Sequence, residues 1–145
     1  MLVSTKGRYA LRVMVELAIS NSEEFIPLKQ IADNQEISEK YLEAIMKNLV
    51  REGLVVGLRG KGGGYKLSKN PSLYTVADIL HVTEGSLAPV ACLENKTYAC
   101  PRMDRCSTLS IWKKLDTLIS EFFEGITLKD LADEASDSKG DFYAI

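Results

Sequence analysis

One histidine, one tryptophan and three cysteines in 145 residues leave little of the usual chemical machinery. With His81 as the sole imidazole there is no Ser-His-Asp set, and neither a CxxC pair nor a nucleotide-binding loop is present, which argues against an enzyme such as a thiol or iron-sulfur oxidoreductase. The cysteine count is odd and all three lie between Cys92 and Cys106, which excludes a disulfide framework and points to free thiols or a metal site in a reducing compartment. No apolar run approaches the roughly 18 to 20 residues needed to span a bilayer. The opening MLVSTKGRYALRVMVELAIS scatters charges through its apolar positions and has no unbroken hydrophobic core of a leader, so a mature, cytoplasmic protein is expected.

What is present is an ordinary globular composition, 46% hydrophobic and 26% charged, in a chain long enough to bury its own core. The net charge of -2 conceals an asymmetry. Residues 1–70 carry 11 Lys or Arg against 8 Asp or Glu, whereas residues 71–145 carry 7 against 12. A modestly basic first half suits a polyanion, and the acidic end would repel one.

Tyr9, Val13, Met14, Leu17 and Ala18 recur at helical spacing over residues 5–20, with Ser4 as N-cap. Pro27 opens a short segment in which Leu28, Ile31 and Ala32 pack inward. Ser38 then caps a third helix with Leu42, Ile45, Met46, Leu49 and Val50 on one stripe, stopped by Gly53. Two helices joined by the tight turn DNQEIS make a helix-turn-helix pattern. LVVGL and YKLS follow as short β-formers flanking RGKGGG, so the glycine loop sits at the tip of a two-stranded hairpin. Thr75 and Asp78 start a fourth helix ending at Gly85. From Thr108 to Glu124, Ile111, Leu115, Leu118 and Phe122 repeat at alternating spacings of four and three, broadened by Trp112, Ile119 and Phe123, more apolar surface than one small domain needs. Thr127 caps a last short helix over TLKDLADEA.

GLRGKGGGYKLS is not a nucleotide phosphate loop, because Gly60-Lys61 is followed by Gly62 rather than Ser or Thr, and no dinucleotide fingerprint spacing is met. The GLRG stretch matches the clamp of an RNA-binding KH domain, but that clamp joins two helices, not two strands. A hairpin directly after a helix-turn-helix is a winged helix: the third helix enters the major groove and the wing tip lies on the neighbouring backbone or minor groove. Arg59 and Lys61 then supply charge, and Gly60 and Gly62 permit close approach. On the third helix Ser38, Lys40, Tyr41, Glu43, Ala44 and Lys47 lie opposite the apolar stripe and are the groove-facing candidates. Lys40, Lys47 and Ser38 suit phosphate. Glu43 either discriminates by accepting from a cytosine amine or pairs with Lys47 four residues on. Lys6 and Arg8 add backbone contacts at the start of the first helix.

The cysteines are spaced C-x7-C-x5-C. Structural zinc normally takes four ligands with close CxxC pairs, so it fits poorly. A labile [2Fe-2S] cluster, a thiol redox switch and chance clustering stay open on the residues alone.

STKGRYALRVM, ISEKYLEAI, RGKGGGY, DILHVTEG, the cysteine group before a Trp-bearing helix and the late TLKDL together resemble the Rrf2 family of bacterial winged-helix regulators, over residues 1 to about 135. The resemblance implies a mainly α fold with a small two-stranded β wing and a homodimer paired through a long helix at Ile111, Leu115, Leu118 and Phe122. It also implies a double-stranded DNA operator as partner and a [2Fe-2S] cluster on Cys92, Cys100 and Cys106. The histidine that the family's iron-sulfur regulators place three residues after the last cysteine is Leu109 here, and the acidic ligand of its nitric-oxide sensors falls on Arg8. Glu94, Asp104 or a group of the second subunit are the remaining candidates for a fourth ligand, and His81, flanked by apolar residues, reads as structural. The family's cysteine-metabolism repressors supply the other expectation, a clusterless repressor controlled by cysteine synthase, with the terminal Ile145 carboxylate docking in that enzyme.

The expected organisation is a winged helix-turn-helix domain over 1–84, a cysteine-bearing sensor loop over 85–107, the dimerisation helix and a short C-terminal helix over 108–135, and a mobile acidic tail over 136–145.

Overall fold

The computed structural model describes residues 3–20, 23–95 and 100–144, with side chains to residue 138. Six helices and one hairpin appear among them: α1 (Thr5–Ser20), α2 (Leu28–Gln35), α3 (Glu39–Arg51), β1 (Val55–Leu58), β2 (Gly64–Leu67), α4 (Val76–Glu84), α5 (Leu109–Glu124) and α6 (Leu128–Ala144).

Local chemistry explains the boundaries. The Ser4 hydroxyl accepts from the Gly7 amide at 3.1 Å and starts α1. α2 ends because Glu36 turns into the left-handed region at φ 56°, which lets its amide reach back to the carbonyls of Ala32 and Asp33. That single residue reverses the chain between α2 and α3, a position where glycine would be the unstrained choice. Ser38 then caps α3 by accepting from the Tyr41 amide at 3.2 Å. Thr75 with Asp78 and Thr127 with Asp130 form reciprocal capping boxes at the starts of α4 and α6.

Val13 and Met14 of α1, Ile31 of α2 and Leu42, Ile45, Met46 and Leu49 of α3 are fully buried together, so the helix-turn-helix rests on α1. β1 and β2 pair antiparallel in the register Val55↔Leu67 to Leu58↔Gly64. Ile26 adds a third, single-residue rung by exchanging two 2.9 Å hydrogen bonds with Tyr65, so the wing is pinned to the segment before α2.

Tyr74, fully buried, ties the base of the wing to the rest of the core. Its hydroxyl donates to the Leu54 carbonyl at 2.7 Å and accepts from the Ser68 and Lys69 amides, each at 3.1 Å. On either side of it, Val76 N–H donates to Ile126 O and Leu128 N–H to Tyr74 O, both at 2.9 Å. These bonds bring α6 back onto the N-terminal half, where Leu128 and Ala132 join the main core beside α1.

Two segments differ from the sequence reading. α6, expected to stop near residue 135, continues to Ala144. Residues 136–144, expected as tail, carry no proline, and once a capping box has met the cost of nucleation each further residue adds one backbone bond. Ile145 lies outside the described residues. The segment between α4 and α5, expected as loop, contains short 3-10 turns at Ala91–Leu93 and Met103–Arg105.

Candidate nucleic-acid interface

The outer face of α3 presents Lys40, Tyr41, Glu43, Ala44 and Lys47 to solvent, with Ser38 at its N-terminal end, while Leu42, Ile45, Met46 and Leu49 of the opposite stripe are buried; Val50, expected with them, is exposed and lines the cleft toward the wing. Glu43 is exposed and sits 3.6 Å from the Lys47 ammonium, the pairing expected four residues on. A carboxylate paired this way on a surface costs or stabilises little by itself. Its neighbour in the next turn toward the wing is Arg51, held near Glu52 at 3.4 Å.

Between α3 and the wing runs a cleft of about 780 Å³ bounded by Glu43, Lys47 and Arg51 on one wall and Leu58, Arg59 and Gly60 on the other. The wing tip, Arg59 to Gly62, is exposed. The glycines at the tip and those just behind it differ in role. Gly60 and Gly62 have φ of 92° and 78° with open space around them, so they shape the tip. Gly63 and Gly64 lie inside the hairpin: a Cβ on Gly63 would overlap the Leu58 carbonyl, and one on Gly64 the Ile26 carbonyl. Packing of the wing, not approach to a ligand, demands those two.

Beside α3, the N-terminal half of α1 adds a strip that sequence reasoning missed. Tyr9 meets Tyr41 edge to face at 5.9 Å, and the Arg12 guanidinium lies 5.0 Å from the Tyr9 ring. Arg12 also donates from Nη2 to the Gln35 carbonyl at 2.6 Å and from Nε to Gln35 Oε1 at 3.1 Å. α1, α2 and α3 therefore share one polar face; the signal was Arg12 three residues after Tyr9, on the side of α1 away from its core stripe. Arg8 is exposed with Nη2 donating to Thr5 Oγ1 at 3.1 Å, and Lys6 is half-buried beside it.

The cysteines are not gathered. Cys92 and Cys100 are half-buried and Cys106 is exposed, all three as free thiols. Among the described residues no group of three His, Cys, Asp or Glu is placed to hold a metal ion, and Glu94 and Asp104 complete none. In this arrangement the donor set does not fit a cluster. Cys106 stands apart chemically. The Thr108 hydroxyl, 3.5 Å from its sulfur, and the Thr108 amide hold its thiol below the usual range, with the Leu109 amide and the Arg102 charge adding to the effect. Thr108 also accepts from Trp112 Nε1 at 3.2 Å, so the indole of α5 and the Cys106 thiol share one hydroxyl. His81 is exposed, with Nδ1 2.8 Å from the Gly85 carbonyl at the end of α4.

On α5 no residue is buried. Ile111, Leu115, Leu118 and Phe122 are 56%, 37%, 64% and 63% exposed, forming one uncovered apolar stripe. Ile119 and Phe123, on the adjoining side, pack against Val76, Ala77, Leu80 and Leu87. No described helix is long and apolar enough to cross a membrane.

A helix-turn-helix followed directly by a cationic, glycine-tipped hairpin defines the winged helix-turn-helix class. Residues 3–134 match the Rrf2 family, described as "Iron-dependent Transcriptional regulator", and the chain belongs to that family of transcriptional regulators. It is 36% identical to the HTH-type transcriptional regulator IscR of Pectobacterium atrosepticum over 90% of its own length and 79% of that protein's. Among solved structures it resembles T. potens IscR (TM-score 0.77, 37% identity, 95% of this chain and 90% of that one). It also resembles CymR, described as the global cysteine regulator of B. subtilis (TM-score 0.75, 37% identity, 92% and 98%).

Proposed function

We propose that the chain acts as a homodimer that binds a near-palindromic DNA operator through two copies of α3 and two wings, with occupancy set by the segment carrying Cys92, Cys100 and Cys106. The observation that carries this reading is the shared face of α3 and the wing. Lys47 and Arg59 line the cleft between the two elements, and Lys40 and Lys61 stand exposed on the same two elements. In this reading the four cations, with Lys6, Arg8 and Ser38, take phosphate, the wing glycines Gly60 and Gly62 bring the backbone close, and Tyr41 and Glu43 face base edges.

The second copy is supported by α5. Ile111, Leu115, Leu118 and Phe122 repeat as alternating core positions of a helix pair, and their exposure leaves them without a cover. Lys114 and Glu121 are seven residues apart, hence on the same flank of that seam; the other flank holds Trp112 and Ile119. In a parallel pair Lys114 would face an apolar flank. In an antiparallel pair it faces the partner's Glu121, twice per dimer. The charges of α5 support the same choice: two lysines in its first half and Glu121 and Glu124 in its last turn run against its own dipole, a conflict that an antiparallel neighbour relieves.

For the cysteine segment the family description and the IscR relatives favour a [2Fe-2S] cluster on Cys92, Cys100 and Cys106, which would require them to gather. The likeness to CymR favours the second reading, a regulator of cysteine supply without a cluster, to which cysteine synthase docking at Ile145 would belong. The test is anaerobic purification followed by operator binding. A brown protein with thiolate-to-iron absorption supports the first reading, a colourless protein with full DNA binding supports the second, and a protein that binds no DNA sinks both.

A further inference from the structure

α1 begins with an interaction that the DNA-binding reading does not use. The Glu84 side chain, from the last turn of α4, reaches the N-terminus of α1: its Oε1 accepts from the Ser4 amide at 3.1 Å and from the Ser4 hydroxyl at 2.5 Å. The Ser4 hydroxyl in turn accepts from the Gly7 amide at 3.1 Å. One carboxylate oxygen thus closes a chain of three hydrogen bonds across 80 residues of sequence.

Two features show that the contact is built in. An acid in the last turn of α4 is misplaced with respect to that helix's own dipole, and it becomes well placed only against the positive end of α1. Gly7 lies inside the first turns of α1, where glycine costs about 0.5 to 1 kcal/mol relative to alanine. Its reason is steric, since a Cβ there would overlap Glu84 Oε1 and press on Thr83 Oγ1 at 3.2 Å. Lys6 and Arg8 flank Gly7 on the same turn, and Tyr9 beyond them meets Tyr41 of α3. Glu84 is followed at once by Gly85, at φ 73°, and then by the segment with the cysteines.

We infer that Glu84 is a positioning residue for DNA binding: it ties the N-terminal turn of α1 to the end of α4 and so aims Lys6 and Arg8 at the DNA backbone. The inference rests on the reading that those two side chains touch phosphate. It makes the end of α4, where the cysteine segment begins, a mechanical part of the DNA-binding surface.

The test is a set of full-length variants measured for affinity to operator and to unrelated DNA across a salt series. Glu84→Ala and Ser4→Ala should each weaken both affinities about equally, leaving their ratio unchanged, and reduce the steepness of the log-log salt dependence by about 4 for the dimer, two phosphate contacts in each subunit. Glu84→Gln, which keeps an acceptor within reach of Ser4, should stay within about twofold of the parent. In a Lys6→Ala, Arg8→Ala background, Glu84→Ala should cost nothing further. A lowered melting temperature with unchanged salt slope would mean a merely structural contact and overturn the inference, as would full additivity with the Lys6 and Arg8 changes. Should Glu84→Ala fail to fold, Ser4→Ala carries the same comparison. A parent protein that binds no DNA at low salt would instead refute the proposed function itself.

Discussion

Leu118→Ala isolates the dimer seam from the fold. Leu118 is 64% exposed in the single chain, and alanine is at least as good a helix former, so the substitution removes little internal packing and leaves α5 intact. Truncation deletes three carbons, worth about 2.4 kcal/mol if all of their surface were buried at about 0.8 kcal/mol each. With roughly two-thirds of the side chain still open to be covered, the loss is about 1.5 kcal/mol per copy. Each copy contributes one Leu118, so the dimer loses about 3 kcal/mol and its dissociation constant rises about 100-fold. Sedimentation equilibrium reads that directly, while the melting temperature extrapolated to low concentration should move little. An unchanged dissociation constant would refute the assignment of this stripe, and a large fall in the stability of the monomer would mean that Leu118 is covered by the chain's own residues.

Three further outcomes follow from the same geometry. Lys114→Glu and Glu121→Lys should each weaken the dimer and the double swap should restore it if the two α5 helices run antiparallel; a double swap no better than either single change contradicts that orientation. Glu36→Gly should raise the melting temperature by a few degrees, because relief of about 1 to 2 kcal/mol of left-handed strain exceeds the added entropy of glycine in the unfolded chain. The Asp130 carboxyl is held below its usual range by the Thr127 amide and then by the Thr127 hydroxyl. Its contribution is therefore present above the unfolded value of about 3.9 and is lost as pH falls through the lower folded value, so thermal melts of the parent and Asp130→Ala should differ between pH 5 and 8 and converge under strong acid.

Much of this architecture is legible in the residues. The stripes of α1 and α3 follow a 3.6-residue period, Ser4, Ser38, Thr75 and Thr127 mark helix starts by side-chain chemistry, and a glycine run between β-formers marks a hairpin. Each of those signals is local. What escaped is mostly set by contacts between distant segments. The wing glycines look alike in sequence, yet Gly64 is required by Ile26, 38 positions earlier, and that approach exists only once the hairpin docks. Tyr74 reads as one aromatic among several until its hydroxyl is seen collecting Leu54, Ser68 and Lys69. The acid at position 84 has no meaning on its own helix, only against α1. α6 reads as ending near residue 135 because its second half is polar and contains Gly140, yet a helix already nucleated upstream continues through them. The cysteine spacing alone leaves several chemistries open, and among the described residues no group of three donors is placed to hold a metal ion.

The most direct measurement of the central claim is the salt dependence of binding to DNA selected from a random-sequence pool, for the parent and for Arg59→Ala/Lys61→Ala. If α3 and the wing form the interface, the parent binds duplex DNA. The wing variant, lacking two cations in each subunit, then loses about 4 from the magnitude of the log-log salt slope while its preferred sequence keeps the bases read by α3. A parent that selects no sequence, or a wing variant with an unchanged slope, would contradict the account.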